Sequence, residues 1–342
     1  PINRNLFTGK VKGEINLRGK GTDWQHLISN GKFELSDAKF NDTQILPSRL
    51  NYSIINDQIT VDANIDKFKM NVDGQLGLTK KTDLGVEFTA IELSRLMEFT
   101  SNAVDIKGKG NLQANVRGKL TQPEILSNLS VIDVTANGVR MGDVSGKFMY
   151  SENNLKVNEL IVHNVDTHAT VRGNVVIRKV PNIDLKVSLN PIRISEYTKL
   201  LSQDLDIQGQ LLGEIDLRGA VTSLNGSGKI TTKDVNALEM PVEMTVPIQI
   251  AKNTVHVPEF VMKTTGGELN ISGMYSPDGD YEFQLISKEF DFDRALNVFD
   301  LEEFEGYGQI TASGKGNISR PEAKMKLELK SVKYGNLNIG DI

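Results

Sequence analysis

The sequence predicts an all-β protein with short helices, in which an elongated antiparallel β-sheet is built from repeats of roughly 100 residues. Three observations predict this fold class. Similar segments recur at that spacing, apolar and polar residues alternate within them, and turns rich in Gly and Asn separate them. Hydrophobic residues make up 39% of the 342-residue chain and charged residues 24%, as is typical of a chain that folds.

The repeat is visible in the glycines that close four similar segments. Gly19, Gly118, Gly219 and Gly316 end VKGEINLRG, GNLQANVRG, GEIDLRG and GQITASGKG, respectively, at intervals of about 100 residues. We therefore predict repeats at 1–101, 102–202 and 203–300, and a partial repeat at 301–342. The final residues, Gly340 to Ile342, match a position well inside the second repeat, so we expect a longer parent protein.

One short helix is predicted in each full repeat. The segments IELSRLMEF, IRISEYTKLL and FDFDRALNVF each contain a strand end followed by a short amphipathic stretch. The predicted helices lie near residues 94–100, 195–201 and 293–299. Ser94, Ser195 and Asp293 are expected to cap these helices, because a side-chain oxygen at that position accepts a hydrogen bond from an unpaired amide of the first turn.

The strands are predicted from a period of two. From Ile106 to Arg117, apolar or small residues alternate with Lys, Asn, Gln and Arg, which predicts one apolar and one solvated face. Parallel strands are buried on both faces and would be continuously apolar, so antiparallel pairing is expected. The same reasoning predicts six strands in the second repeat, near residues 106–117, 126–135, 142–150, 155–162, 168–178 and 183–189.

Two architectures could bury the apolar face. One is a series of β-sandwich beads, and the other is a single sheet that curls into a taco-like groove. Many positions on the predicted apolar face are Gly or Ala, which fill a sandwich core poorly but suit a sheet that bends and leaves room above it. We therefore favour the groove, and the alternative is that these small residues mark β-bulges in ordinary repeated β-domains. The small residues that carry this argument are Gly108, Gly110, Ala114, Gly209 and Gly213.

Composition and motifs argue against an enzyme, a cofactor and a nucleic-acid partner. The net charge of −5 is small and its signs alternate, unlike the basic patch of a nucleic-acid binder. The chain has no cysteine, and His163 and His168 are not spaced as a metal-binding pair on a helix or on one face of a strand. Phosphate-loop and nucleophile-elbow motifs are missing. We therefore expect no catalytic residue, metal site or cofactor.

The order of these features resembles the AsmA-like superfamily, which includes TamB. A capped helix precedes a glycine-rich strand that closes in Leu-Arg-Gly or Val-Arg-Gly, then a turn containing Pro123 or Pro321, then alternating strands. The first and third repeats lack the proline. The resemblance spans nearly the whole chain, and it implies a bridge-like lipid-transfer protein of the periplasm. In such a protein, a segment outside this fragment would anchor the groove to the inner membrane, and phospholipid would pass between the two membranes of a Gram-negative envelope.

We therefore expect a non-enzymatic groove whose apolar face conducts lipid acyl chains. Two alternatives remain open. The chain could be a polypeptide-interaction scaffold that binds an outer-membrane protein partner by strand addition, or a structural spacer of β-repeats. The predicted lining residues of the lipid groove are Ile15, Leu17, Leu112, Val116, Val171, Val175, Leu211, Ile215, Leu217, Ile310, Leu327 and Leu329.

Overall fold

The structure, a computed structural model, describes residues 7–19, 27–40, 43–75, 81–98, 105–119, 121–136, 138–164, 167–196, 207–237, 240–264, 266–293 and 304–342. Strands account for most of these residues. They are β1 (Phe7–Arg18), β2 (Ile28–Phe40), β3 (Thr43–Ile45), β4 (Ser48–Ile55), β5 (Gln58–Ile65), β6 (Phe68–Gln75), β7 (Thr82–Glu92), β8 (Ile106–Lys119), β9 (Gln122–Ala136), β10 (Val139–Ser151), β11 (Asn154–Asn164), β12 (Thr167–Val176), β13 (Asn182–Arg193), β14 (Ile207–Ala220), β15 (Ser223–Ala237), β16 (Met240–Ala251), β17 (Thr254–Thr264), β18 (Gly267–Tyr275), β19 (Asp280–Asp291), β20 (Phe304–Asn317), β21 (Ala323–Tyr334) and β22 (Leu337–Gly340).

The strands belong to one open antiparallel sheet. Apart from β4, which pairs with β2 beside the short β3, each strand whose pairing is described joins its neighbours in chain order. Substantial contacts between described strands likewise join only ladder neighbours. The all-β antiparallel prediction is confirmed, and the sandwich alternative is wrong for the described residues.

The chain divides into two units, which are treated separately below. Unit 1 comprises Pro1–Val165 with Arg172–Ile177, and unit 2 comprises Asp166–Val171 with Arg178–Ile342. The division falls within β12. The described ladder of unit 1 runs from β1 to β11, and that of unit 2 from β13 to β22.

The six strands predicted in the second repeat are all present, as β8 to β13, and most are a few residues longer than predicted. Two-residue turns join several strands. Glu152 and Asn153 have φ of 48° and 64°, which matches the twist that a tight hairpin requires. The predicted turn at Pro123 is wrong, because Pro123 is the second residue of β9 and pairs with Gly118.

The predicted helices are described only in part. Helix α1 spans Leu93–Glu98, and a single 3-10 turn spans Ile194–Glu196. Residues 99–100, 197–201 and 294–299 lie outside the described residues. The capping prediction is wrong by two positions for Ser94 and Asp293, and it stays a prediction for Ser195. Ser94 lies inside the first turn of α1, and the side chain of Asp291, rather than that of Asp293, accepts a hydrogen bond, from the Asp293 amide at 3.1 Å.

A β-bulge recurs where β1, β8, β14 and β20 pair with the strands that follow them. In each bulge, one residue of the second strand has a positive φ. A glycine of the first strand faces the residue that follows this positive-φ residue in the second strand. The positive-φ residues are Asp37, Asp133, Asp234 and Ser331. We call the following four pairs the bulge sites, two in each unit: Gly9 with Ala38, Gly108 with Val134, Gly209 with Val235, and Gly306 with Val332.

The bulge sites correct one expectation from the sequence. Gly108 and Gly209 were assigned to a groove floor that leaves room above the sheet. Instead, a valine of the neighbouring strand fills the space at each. A Cβ atom on Gly209 would lie 2.5 Å from the Cα atom of Val235, which is closer than any van der Waals contact allows. These glycines therefore permit close approach of two strands at a bulge.

Few described side chains are fully buried, as a single-layer sheet requires. Ala38, Val134, Val235 and Val332, the buried members of the bulge sites, are among them. In unit 2, Leu269, Phe290 and Phe292 form a small cluster, with the two rings packed edge to face at 5.5 Å. Burial is therefore concentrated near strand ends, while most side chains along the strands remain partly exposed.

Candidate functional site: one uncharged face in each unit

The strand register decides which side chains share a face, because directly paired residues project to the same side of a sheet. In unit 1, Val86 of β7 pairs with Ala114 of β8, which pairs with Ser127 of β9. Followed in both directions, this row crosses ten strands. Its members are Ile15, Gly31, Tyr52, Val61, Val72, Val86, Ala114, Ser127, Phe148 and Val157. None is charged. We call the face that contains this row the apolar face of unit 1.

The adjacent row of unit 1 projects to the opposite side and is polar at every position. Its members are Glu14, Lys32, Asn51, Asp62, Asn71, Glu87, Gln113, Asn128, Lys147 and Glu159. Charged and amide groups on this row pair with their neighbours, as when Gln113 donates a hydrogen bond to Glu87 at 3.1 Å. The two rows differ because the alternation of apolar and polar residues is in phase from strand to strand. This phase keeps charged side chains off one face of the unit.

Unit 2 repeats this arrangement. An uncharged row crosses eight strands through Leu185, Leu217, Gly226, Ile250, Val255, Tyr275, Tyr281 and Gly316. The adjacent row contains Lys186, Asp216, Ser227, Gln249, His256, Met274, Glu282 and Lys315, and is polar apart from Met274. We call the face with the uncharged row the apolar face of unit 2.

Most predicted lining residues have paired positions that place them on these faces. Ile15, Leu17, Leu112 and Val116 lie on the apolar face of unit 1. On that of unit 2 lie Leu211, Ile215, Leu217, Ile310, Leu327 and Leu329. Val171 and Val175 alternate along β12 with Arg172 and Asn174. The residues of each unit are thus brought to one side of its sheet, while their role in binding lipid stays a prediction.

The exposure of these side chains depends on their neighbours. In β8 and β14 the predicted lining residues that the structure describes are half-buried, whereas Ile15 and Leu17 of β1 are 59% and 67% exposed. Strand β1 pairs with β2 on one side, and no described strand pairs with its other side. Leu327 of β21 is also exposed, at 42%.

Several glycines of the apolar faces are covered by aromatic rings. A Cβ atom on Gly31 would meet the Tyr52 ring at 2.5 Å, and one on Gly314 would meet the Phe283 ring at 2.5 Å. These rings therefore lie along the sheet over the glycine of a neighbouring strand rather than standing away from it. The sequence analysis did not name Tyr52 or Phe283. Their period-two positions opposite glycines are the signal that could have found them.

A polar network fixes α1 beside the strands of unit 1. The Arg95 guanidinium donates to both carboxylate oxygens of Asp66, at 2.5 and 3.0 Å, and to the carbonyl of Gln44. Asp66 also accepts a hydrogen bond from the Leu46 amide at 2.9 Å. The side chains of Arg95 and Asp66 are only 11% and 2% exposed. The network therefore ties α1 to β3 and to the turn between β5 and β6.

The charge of Asp66 is stabilised in this setting. Burial favours the protonated form and raises the pKa of Asp66. Hydrogen bonds from Arg95 and from the Leu46 amide, with the positive charges of Arg95 and Lys67, outweigh burial, so the pKa lies below its ordinary value of 3.8. Because these groups are satisfied by each other, the network is a structural clasp rather than a site for a substrate.

Among the described residues, no group of His, Asp or Glu side chains is arranged to hold a metal ion. Within the same ranges, no helix has the length and apolar character needed to cross a bilayer. No protein-family model, no curated protein and no solved structure matches this chain.

Proposed function

We propose that the apolar faces bind the acyl chains of lipids and let them move along the sheet, without any chemical step. The observation that carries the proposal is the pair of uncharged rows, which cross ten strands in unit 1 and eight in unit 2 with a polar row on the opposite face. A lone globular chain would bury such a surface in a core. Here most of its described side chains stay partly exposed, so they are available to an apolar ligand.

The proposed mechanism is physical. Each methylene that leaves a membrane for water costs about 0.8 kcal/mol, so a chain of ~16 carbons faces a barrier of about 12 kcal/mol. An apolar face lowers this barrier by replacing water around the chain. Neighbouring rows of similar composition would bind an acyl chain with similar strength, which favours movement over trapping.

The resemblance to the AsmA-like superfamily sets the proposed cellular context. We propose that the parent protein is a bridge-like lipid-transfer protein of the periplasm, anchored to the inner membrane, with phospholipid as its cargo. The groove shape and the repeat boundaries belong to the same proposal. Its support is the order of motifs in the sequence together with the segregation of faces in each unit.

Photo-crosslinking tests the proposal directly, because neighbours in a strand face opposite ways. A photo-reactive residue at Val116, Leu217 or Leu329 should capture lipid from cells or from phospholipid vesicles. The matched control positions are the next residues, Arg117, Arg218 and Lys330, which should capture little. Equal capture at both sets of positions would contradict an acyl-chain path on the apolar face.

A second experiment asks whether the apolar faces must remain free of charge for the protein to function. A carboxylate at Val116 or Leu217 would be poorly solvated beneath an acyl chain, so Val116→Asp and Leu217→Asp should block transfer in the full-length parent protein. Thermal unfolding must be measured alongside. Variants that stay folded and retain full activity would favour the alternative, a scaffold that binds polypeptides by strand addition.

A further inference from the structure

Two prolines lie in the middle of neighbouring strands of unit 2, Pro247 in β16 and Pro258 in β17. The other prolines of the described strands, which are Pro123, Pro191 and Pro241, lie within two residues of a strand end. Proline has no backbone N–H, and within sheets it is confined to edge strands, strand ends and bulges. Strands β16 and β17 are both paired on two sides, so their prolines occupy unusual positions.

The hairpin that joins β16 to β17 shows that the two prolines face each other. Its turn residues, Lys252 and Asn253, have φ of 50° and 69°, as in a type I′ turn, whose flanking residues exchange two hydrogen bonds. Such bonded pairs recur at every second position of an antiparallel ladder. Counted from the turn, the pairs are Ala251 with Thr254, Gln249 with His256, and then Pro247 with Pro258. Both N–H groups that the third pair would use are missing.

The ladder between β16 and β17 is interrupted at this place. The register pairs Gln249 with His256 and next pairs Met244 with Met262, so four residues of β16 and five of β17 lie between the paired positions. No other described ladder of unit 2 skips more than three residues of either strand. We call the interrupted stretch, residues 245–248 and 257–261, the proline seam.

Strand β17 is also irregular on its other side. Two of its residues, Pro258 and Glu259, lie opposite the single residue Ser272 of β18, which is a β-bulge. A bulge bends its strand and increases the local twist. The proline seam therefore combines a missing stretch of ladder on one side of β17 with a bulge on the other.

Packing does not replace the missing stretch of ladder. Within the described residues, β16 and β17 make substantial contacts only with each other and with β15 and β18, so no second layer covers the seam. Hollows adjoin the seam on both sides. One is lined in part by Thr245 and Val261, and the other by Val257 and Pro258. Strands β16 and β17 are thus held together mainly at the two ends of the seam.

From these observations we propose that the proline seam is a bend point, at which the sheet of unit 2 changes its curvature while the ladders on either side stay intact. Hydrogen-bonded ladders resist a change of angle between neighbouring strands, and this resistance is lowest where bonded pairs and covering contacts are few. Because the seam crosses the sheet of unit 2, bending there changes the curvature of the apolar face of this unit. The proposal concerns the motion of the sheet and does not depend on what that face binds.

Distances between spin labels test the bend point, because the protein has no cysteine and two can be introduced at chosen positions. Lys229→Cys in β15 and Gln284→Cys in β19 place labels on the polar face of unit 2, four ladders apart and on either side of the seam. The matched control is Asn51→Cys with Gln113→Cys, also four ladders apart, in unit 1, where every intervening strand pairs directly from one label to the other. At the spacing of strands in a sheet, each pair of positions is separated by about 19 Å.

Double electron–electron resonance should give a broader distance distribution for the pair across the seam than for the control pair. Replacing both prolines, by Pro247→Thr and Pro258→Thr, supplies the two missing N–H groups on residues that favour strands. This replacement should remove the excess width and leave the control pair unchanged. Pro247→Thr alone, which restores one N–H, should remove part of the excess. Circular dichroism and thermal unfolding establish that each variant is folded.

Two results would overturn the proposal. One is a distribution across the seam that is as narrow as that of the control pair, a result that requires no proline variant. The other is an excess width that persists in full after proline is replaced in a folded variant. Lipid capture at Val116 or Leu217 would be unaffected by either result, so failure of this proposal is distinguishable from failure of the proposed function.

Discussion

The bulge sites and the middle of the apolar faces use the same residue types in opposite ways. At a bulge site, a glycine and a small hydrophobic residue meet closely and the hydrophobic residue is buried, as Val134 and Val235 are at 7% and 4% exposure. In the middle of a strand, apolar residues such as Leu112 and Ile215 are half-buried. Stability and the proposed ligand binding therefore depend on different places along each strand, and substitutions should separate them.

The largest effect is expected at the clasp that holds α1. Arg95→Met leaves the buried carboxylate of Asp66 without its cation, which should lower the free energy of unfolding of unit 1 by about 3 kcal/mol. Hydrogen exchange measured by mass spectrometry over residues 43–75 would detect the loss. The control is Arg172→Met, which breaks an exposed pair with Glu159 and should cost less than about 1 kcal/mol. Similar costs for the two variants would contradict the structural role of the clasp.

A smaller effect is expected at a bulge site. Gly209 has φ of 120°, and an added Cβ atom would contact the backbone of Val235, so Gly209→Ala should cost about 2 kcal/mol. Gly138→Ala is the matched control, because Gly138 also has a positive φ, 80°, but no atom lies within 4 Å of the added Cβ. Its expected cost is about 1 kcal/mol. Urea denaturation of both variants would show whether close approach, and not φ alone, matters at the bulge.

The two regions can be compared by truncating one side chain in each. Val134→Ala at a bulge site should cost about 2 kcal/mol, because it leaves a cavity at a buried position. Leu112→Ala on the apolar face removes more atoms but should cost only about 1 kcal/mol, because the side chain is half-exposed. Thermal unfolding would measure both. A costlier Leu112→Ala would place the core in the middle of the strands and weaken the case for an available surface.

The smallest effect is expected from acid. Because the pKa of Asp66 is lowered in the folded state, its contribution to stability is present above its ordinary pKa of 3.8 and is lost as pH falls through the folded value. The unmodified protein should therefore lose stability relative to Asp66→Asn as the pH falls from about 5 to about 2, the range in which carboxyl groups titrate. The difference in urea midpoint between the two proteins, followed across this range, measures the effect. A constant difference would show that Asp66 does not titrate in the clasp.

The sequence was sufficient for features that depend on local pattern. The period of two from Ile106 to Val116 predicted the strand, its antiparallel pairing and the faces of Leu112 and Val116. It was insufficient for features that depend on two distant segments meeting. The clasp joins Arg95 to Asp66, 29 residues away, and no periodicity connects them. The bulge at Gly108 requires the positive φ of Asp133 in the next strand, so the sequence alone could not distinguish a bulge from a groove floor at Gly108.

The nearest-neighbour pairing of the strands has an evolutionary consequence. Within the described residues, each strand makes its substantial contacts only with the strands beside it, so an internal duplication of one proposed repeat would give every new strand the same flanking partners as the old one. The stability of such an array grows as a sum of local terms, and no distant packing has to be re-optimised. With the proposed repeat, chain length could therefore change in steps of about 100 residues without a new arrangement of the strands.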